Sequence, residues 1–146
     1  MRDSWLVCAA GARPERTVYR ITEAGREEMT DWVRELIAAP ERERPKFKAG
    51  LSLLAVLPPA EAIALLCERI ARLESQIAAD EQEQAAYSAT LPEIFLIEGD
   101  YDLAVRKAEL SWTKKLLRRL SDGSFPDLAR WQLFHETGQL PPELEE

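Results

Sequence analysis

The sequence predicts a mainly α-helical protein, in which a short β-hairpin and one connecting helix precede a domain with two long antiparallel helices. Three observations lead to this fold class. Apolar residues recur at helical spacing through 60–87, and a second long run with helical spacing covers 101–120. A run of β-branched and aromatic residues at Arg16–Ile21 is typical of a strand.

The stretch Ala60–Tyr87 carries an apolar seam whose members are spaced three, four, three and four residues apart. The seam consists of Ile63, Leu66, Ile70, Leu73 and Ile77. Isoleucine at the a positions and leucine at the d positions favours dimers in parallel two-stranded coiled coils. Two heptads fall short of the three or four that define a coiled coil, so an amphipathic helix packed within its own domain is the alternative.

Composition and charge restrict the class of protein. The chain has 146 residues, of which 46% are hydrophobic and 31% charged, as in an ordinary soluble protein. Its apolar runs are far shorter than the ~18 residues that a membrane span needs, and the first residues lack a signal-peptide layout. We therefore expect a cytoplasmic protein with no membrane partner, whose Cys8 and Cys67 are reduced thiols.

Acidic residues are concentrated in the middle of the chain. Residues 49–100 carry two Lys/Arg and nine Asp/Glu, a net charge of −7. A surface of this charge does not bind nucleic acid, so any such contact must come from the first segment or from the basic end of the third.

The first segment has the features of a hairpin followed by a helix. Turn residues at 11–14 separate Ser4–Cys8 from the strand Arg16–Ile21. Thr22 is placed to cap the next helix, which carries an apolar stripe at i, i+3, i+4, i+7 and i+8 spacing. This stripe consists of Met29, Trp32, Val33, Leu36 and Ile37.

The segment Arg13–Arg26 resembles the wing of a PadR-type winged-helix transcriptional regulator. In that family the wing ends in a Tyr-x-x-Thr-x-x-Gly pattern that leads directly into a helix, here Tyr19, Thr22 and Gly25. The resemblance implies that Arg13, Arg16 and Arg20 contact DNA phosphates or the minor groove. The alternative for these three arginines is a solvated turn.

The rest of the chain extends the resemblance as far as Gly123. A charged linker precedes a short apolar helix at Phe47–Leu57, and the central helix breaks at Pro92. A second long helix at Tyr101–Leu120 contains Ala-Glu-Leu-Ser-Trp and ends before glycine. This order predicts a remnant winged-helix domain at 1–39, a helical dimerisation and effector domain at 45–123, and a tail at 124–146 with a short helix at Pro126–Thr137.

One departure from the family's pattern bears directly on DNA binding. The family has three helices before the wing, and the third enters the major groove, whereas about a dozen residues precede Arg13 here. The recognition helix is therefore missing. Three explanations for its absence remain open: truncation, a misassigned start and a genuine stand-alone domain. We expect the chain as given to bind DNA weakly and without sequence preference.

The resemblance implies a regulator, a repressor in its usual form, that acts as a homodimer. We expect the central seam to be covered by Leu103, Leu110 and Leu117, which repeat every seven residues on the second long helix. Trp112 lies on a stripe with Tyr101, Val105, Ala108 and Leu116, for which packing is the favoured interpretation. The family's alternative is that Trp112 binds a small aromatic effector. The rival function is a stand-alone helical interaction module that binds no DNA.

Nothing in the sequence predicts an enzyme, a cofactor or a metal site. His135 is the one histidine and has no nucleophile near it in sequence, so we interpret it as a tail residue. Glu93, Glu98, Asp100 and Asp102 are interpreted as solvated charges near a helix start. A basic cluster is expected to complement the end of the helix dipole and to pair with the acidic central helix; it comprises Lys114, Lys115, Arg118 and Arg119.

Overall fold

The computed structural model of the chain describes residues 6–10 and 17–138, with side chains for 18–138. Backbone contacts divide the chain into two compact units, Met1–Pro45 and Lys46–Glu146. The prediction of a mainly α fold is confirmed, because the described residues form five α-helices and only short strands.

The first unit begins with two short strands. Strand β1, Leu6–Ala10, pairs antiparallel with β2, Thr17–Ile21, in a register that sets Val7 opposite Arg20. The connection at 11–16 lies outside the described residues. The predicted turn with Arg13 and Arg16, and with it the interpretation of this segment as a wing, therefore stays a prediction.

Helix α1, Glu23–Ala38, starts at the predicted cap. The side chain of Thr22 accepts a hydrogen bond from the backbone N–H of Gly25 at 3.1 Å, which satisfies one of the amides that a helix start leaves unpaired. Gly25 is buried. The helix ends two residues before Pro40, because the residue preceding a proline is disfavoured in the helical conformation.

The described residues of the second unit, 46–138, form four α-helices and two single 3₁₀ turns. Helix α2, Lys46–Ser52, and the turn Leu54–Val56 occupy the predicted short helix at 47–57. The long antiparallel pair is confirmed as α3, Pro59–Ser88, and α4, Ile97–Ser121. A 3₁₀ turn at Glu93–Phe95 follows Pro92, and α5 covers Leu128–Thr137.

Helix α4 begins four residues earlier than the sequence pattern predicts. Its first turn contains Glu98 and Asp100, whose negative charges are stabilised by the positive end of the helix dipole. Gly99 lies within this first turn. The helix ends as predicted at Asp122 and Gly123, and Gly123 adopts a left-handed φ of 77°.

The core of the second unit lies between α3 and α4. Its buried apolar side chains are Ala62, Leu66, Leu73, Ile77, Leu103 and Leu120. Thr113 is fully buried among them, and its hydroxyl donates to the backbone carbonyl of Glu109 at 2.8 Å. Burying each leucine contributes roughly 1.5–3 kcal/mol, so this inner face holds the two long helices together.

Helix α5 is attached to the start of α3 by side chains that reach backbone carbonyls. The indole N–H of Trp131 donates to the carbonyl oxygen of Leu57 at 2.9 Å, and Nε2 of His135 lies 2.9 Å from the carbonyl oxygen of Ala55. His135, predicted to be a tail residue, thus contacts the 3₁₀ turn before α3. Gly138, at a left-handed φ of 70°, ends the helix.

Within the part of the chain that the structure describes, no helix is both long and apolar enough to cross a membrane.

Candidate functional site

Ion pairs link the flanks of α3 and α4 on both sides of the core. Lys107 contacts Glu81 at 2.6 Å and Lys114 contacts Glu74 at 2.6 Å. Two further pairs join Arg69 to Glu109 and Arg106 to Asp80. The predicted pairing of the basic cluster with the acidic central helix is thus confirmed for Lys114. Half-exposed pairs such as these each contribute about 1 kcal/mol or less, and they set the register of the two helices.

The residues predicted to form the dimer interface are largely covered within the chain. Leu66, Leu73, Ile77 and Leu103 are buried in the described structure. The other four, Ile63, Ile70, Leu110 and Leu117, are half-buried. The seam on α3 and the leucine repeat on α4 do meet, but as partners within one chain. Their role in joining two subunits stays a prediction.

Trp112 lies beside an aromatic residue of α2. Its ring meets the ring of Phe47 edge to face, with centroids 6.1 Å apart. The guanidinium of Arg69 lies 3.7 Å from the centroid of the Phe47 ring, a cation–π contact, while the same side chain donates to Glu109. These contacts hold Trp112 in place on one side only, and 47% of its surface remains exposed.

A cleft of about 580 Å³ lies next to this group. Apolar side chains of α2, the 3₁₀ turn and α3 line most of it, including Leu51, Leu54 and Leu65, and Arg69 and Arg72 stand among its polar residues. Both arginines are already paired with carboxylates, Arg69 with Glu109 and Arg72 with Glu68. Phe47 lines this cleft and contacts Trp112, whereas Trp112, the predicted effector residue, is not among the lining residues.

The outer face of α4 differs from the prediction. The stripe that includes Tyr101, Val105 and Trp112 was expected to pack in a core, but in the described structure these side chains are 66%, 47% and 47% exposed. Ile97, at 55%, extends the stripe toward the start of the helix. Within the described chain these side chains do not pack in a core, because α4 has two apolar faces and α3 covers the one that contains Leu103.

Helix α1 also presents an apolar face. All five members of its predicted stripe are exposed, from Met29 and Val33 at about half to Ile37 at 84%. Arg20, the one predicted DNA contact with a described side chain, is exposed on β2. The apolar spacing of α1 was visible in the sequence, whereas its exposure was not.

Two observations concern the titratable groups of the described residues. No group of three or more His, Cys, Asp or Glu side chains among them is arranged to hold a metal ion. The hydroxyl and backbone N–H of Ser124 donate to the carboxylate of Asp122, and with Arg118 and Arg119 nearby they lower the pKa of that carboxyl below its ordinary range. This arrangement closes the turn after α4.

No protein-family model, curated protein or solved structure matches this chain. The likeness to PadR-type regulators therefore rests on the pattern at Tyr19, Thr22 and Gly25 and on the order of the helices.

Proposed function

We propose that this chain is the subunit-pairing part of a PadR-like transcriptional regulator. The observation that carries the proposal is that two helices, α1 and α4, each present a long apolar face to solvent within the described structure. Contiguous exposed apolar surface of this kind is characteristic of interaction sites. A regulator of the proposed type needs such surfaces, because pairing two subunits sets the separation of the two DNA-reading elements.

The local structure of the resembling segment supports the proposal. Tyr19 lies on β2, Thr22 caps α1, and Gly25 is buried in its first turn. Strand, cap and helix thus follow one another without a loop, as in the wing and following helix of the family that the sequence resembles. An effector that bound beside Trp112 would act by changing how two subunits pack, and thereby their affinity for DNA.

The chain by itself is proposed to bind DNA weakly and without sequence preference. Readout of base sequence requires side chains that reach base edges from a helix or ribbon in a groove. The arginines at 13, 16 and 20 supply a few phosphate contacts, and the net charge of −7 over 49–100 opposes them. Non-specific affinities of about 10⁻⁴ to 10⁻⁶ M at physiological salt are the upper bound for such a footprint.

A second candidate function is a helical interaction module that pairs subunits and never contacts DNA. The acidity of residues 49–100 favours it, because negative charge on α3, on the 3₁₀ turn after it and on the first turn of α4 repels DNA phosphates. The module would pair with a second copy or with a relative that carries a complete DNA-binding domain.

Two measurements test the proposal. Light scattering across a concentration series should give twice the chain mass of 16.6 kDa; a monomer at every concentration would refute subunit pairing. Titration into a duplex from the chain's own upstream region and into a scrambled duplex, at two salt concentrations, tests DNA binding. We expect weak binding to both that is lost at the higher salt. Tight binding to one duplex would contradict the expected lack of readout, and no binding at low salt would favour the interaction module.

A further inference from the structure

Helix α4 is amphipathic on two faces. Its inner face repeats every seven residues at Leu103, Leu110 and Leu117 and packs toward α3. Its outer face carries apolar residues at intervals of four, four, three and four, and every one of them is exposed in the described structure: Ile97, Tyr101, Val105, Ala108 and Trp112. From Ile97 to Trp112 the helix extends about 22 Å. We call these five residues the outer stripe.

Charge is segregated along the same helix. Its first turns carry Glu98, Asp100 and Asp102. Its last turns carry only basic charges, at Lys114, Lys115, Arg118 and Arg119. The outer stripe lies between an acidic end and a basic end. A partner surface that complements the outer stripe needs apolar residues at its centre, basic residues opposite the acidic end and acidic residues opposite the basic end. A second α4 helix that runs in the opposite direction has this pattern.

We infer that the outer stripe binds the outer stripe of a second copy of this chain, with the two α4 helices antiparallel about a two-fold axis. The inference rests on the subunit pairing proposed above and specifies the surface that makes it. An antiparallel arrangement sets the acidic end of each α4 against the basic end of its partner. A parallel arrangement would bring like charges together along the whole contact.

Helical spacing fixes the register of this interface. When Val105 and Ala108 lie near the two-fold axis, Tyr101 meets the partner's Trp112, and Asp100 meets the partner's Lys115. Lys115 forms no ion pair with the described residues of its own chain, in contrast to Lys114, which Glu74 holds. Ala104 and Ala108 are small and exposed, so the helix backbones can approach closely at the crossing point.

The exposed face of α3 suits a second copy less well. It carries acidic side chains along most of its length, among them Glu61, Glu68 and Glu83, and its charge is not segregated into acidic and basic ends. Two such faces would repel each other in either direction. The apolar face with complementary charges is the one on α4.

A charge exchange on α4 tests the interface. Asp100→Lys and Lys115→Asp, each alone, are expected to raise the dissociation constant of the dimer about tenfold or more, as measured by analytical ultracentrifugation at low salt. The double variant should restore it to within about threefold of the unmodified protein. Both substitutions oppose the helix dipole, so a cost to helix stability would add up in the double variant, whereas an effect at the interface cancels. Glu83→Lys, an exposed acidic residue on α3, is the matched control and should leave dimerisation unchanged.

Disulfide trapping locates the axis independently. In a background with Cys8→Ser and Cys67→Ser, Ala108→Cys should form a disulfide between two chains under mild oxidation. Ala71→Cys, exposed on α3, should not. Dimers that Ala71→Cys traps and Ala108→Cys does not, or a double charge variant no better than the singles, would overturn this interface while leaving subunit pairing intact. A protein that is monomeric at every concentration would refute the pairing itself.

Discussion

Two adjacent leucines on α3 provide a stringent test of the packing between the long helices. Leu66 is 4% exposed and Leu65 is 46% exposed, so one points into the core and its neighbour into the edge of the cleft. Leu66→Ala and Leu65→Ala remove the same atoms from consecutive positions of one helix. The helix propensities of leucine and alanine differ by the same small amount at both sites. The difference in unfolding free energy between the two variants therefore reports how deeply each leucine is buried.

The expected magnitudes follow from the exposures. Truncating leucine to alanine removes about three methylene equivalents at ~0.8 kcal/mol each when the side chain is fully buried. For Leu66 this gives about 2.3 kcal/mol, and the cavity that remains increases the loss to about 3 kcal/mol. For Leu65 the buried half gives about 1.3 kcal/mol without a cavity, because the site is open to the cleft. The two variants should therefore differ by about 2 kcal/mol.

Urea unfolding followed by far-ultraviolet circular dichroism, with all proteins at one concentration, measures these losses. The difference should also appear as a melting temperature roughly 10 °C lower for Leu66→Ala than for Leu65→Ala, given the usual entropy of unfolding for about 100 residues. Equal losses, or a larger loss for Leu65→Ala, would refute the assignment of Leu66 to the core. If the loss of stability in Leu65→Ala increased with protein concentration, a second subunit would be shown to cover Leu65.

Two further predictions concern the ends of the helical unit. Trp131→Phe removes the hydrogen bond to the Leu57 carbonyl and should lower the free energy of unfolding by about 1 kcal/mol. Amide hydrogen exchange should become faster in α5 alone. Leu133→Ala, at an exposed position of the same helix, should leave exchange unchanged; equal effects of the two variants would contradict the anchoring role of Trp131. The pKa of Asp122, lowered first by its hydrogen bond to the Ser124 side chain, should rise toward its ordinary value in Ser124→Ala when followed by NMR. Because the folded pKa is the lower one, this contribution to stability is present at neutral pH and is lost as the pH falls through the lowered pKa; an unchanged pKa in the variant would remove Ser124 as its cause.

The comparison of α3 with α4 shows what periodicity alone leaves open. The three–four spacing from Ile63 to Ile77 identified an apolar face but not which helix would cover it. Helix α4 covers it within the same chain, since Leu103 lies seven residues from Leu110 and both turn toward α3. The d-position leucines Leu66 and Leu73 are therefore buried within one chain, and the apolar surface that α4 leaves in solvent is the outer stripe.

His135 and Trp131 illustrate a different limit. Both bind backbone carbonyls more than 70 residues earlier in the chain. Because every residue has a backbone carbonyl, the sequence does not indicate which carbonyl a distant side chain will bind. The two side chains carried no pattern beyond a short amphipathic run, and only the path of the chain shows that they attach α5 to the start of α3.

The sequence alone determined the helical elements, because capping, proline breaks and apolar spacing act over a few neighbouring residues. Thr22 caps α1, Pro58 precedes α3, and Gly123 follows the end of α4, all as predicted from local chemistry. The tertiary structure decided which apolar faces are covered. Burial depends on which distant segments the fold brings together. Two apolar stripes on α4 that look alike in sequence therefore differ in burial, because one packs on α3 and the other faces solvent.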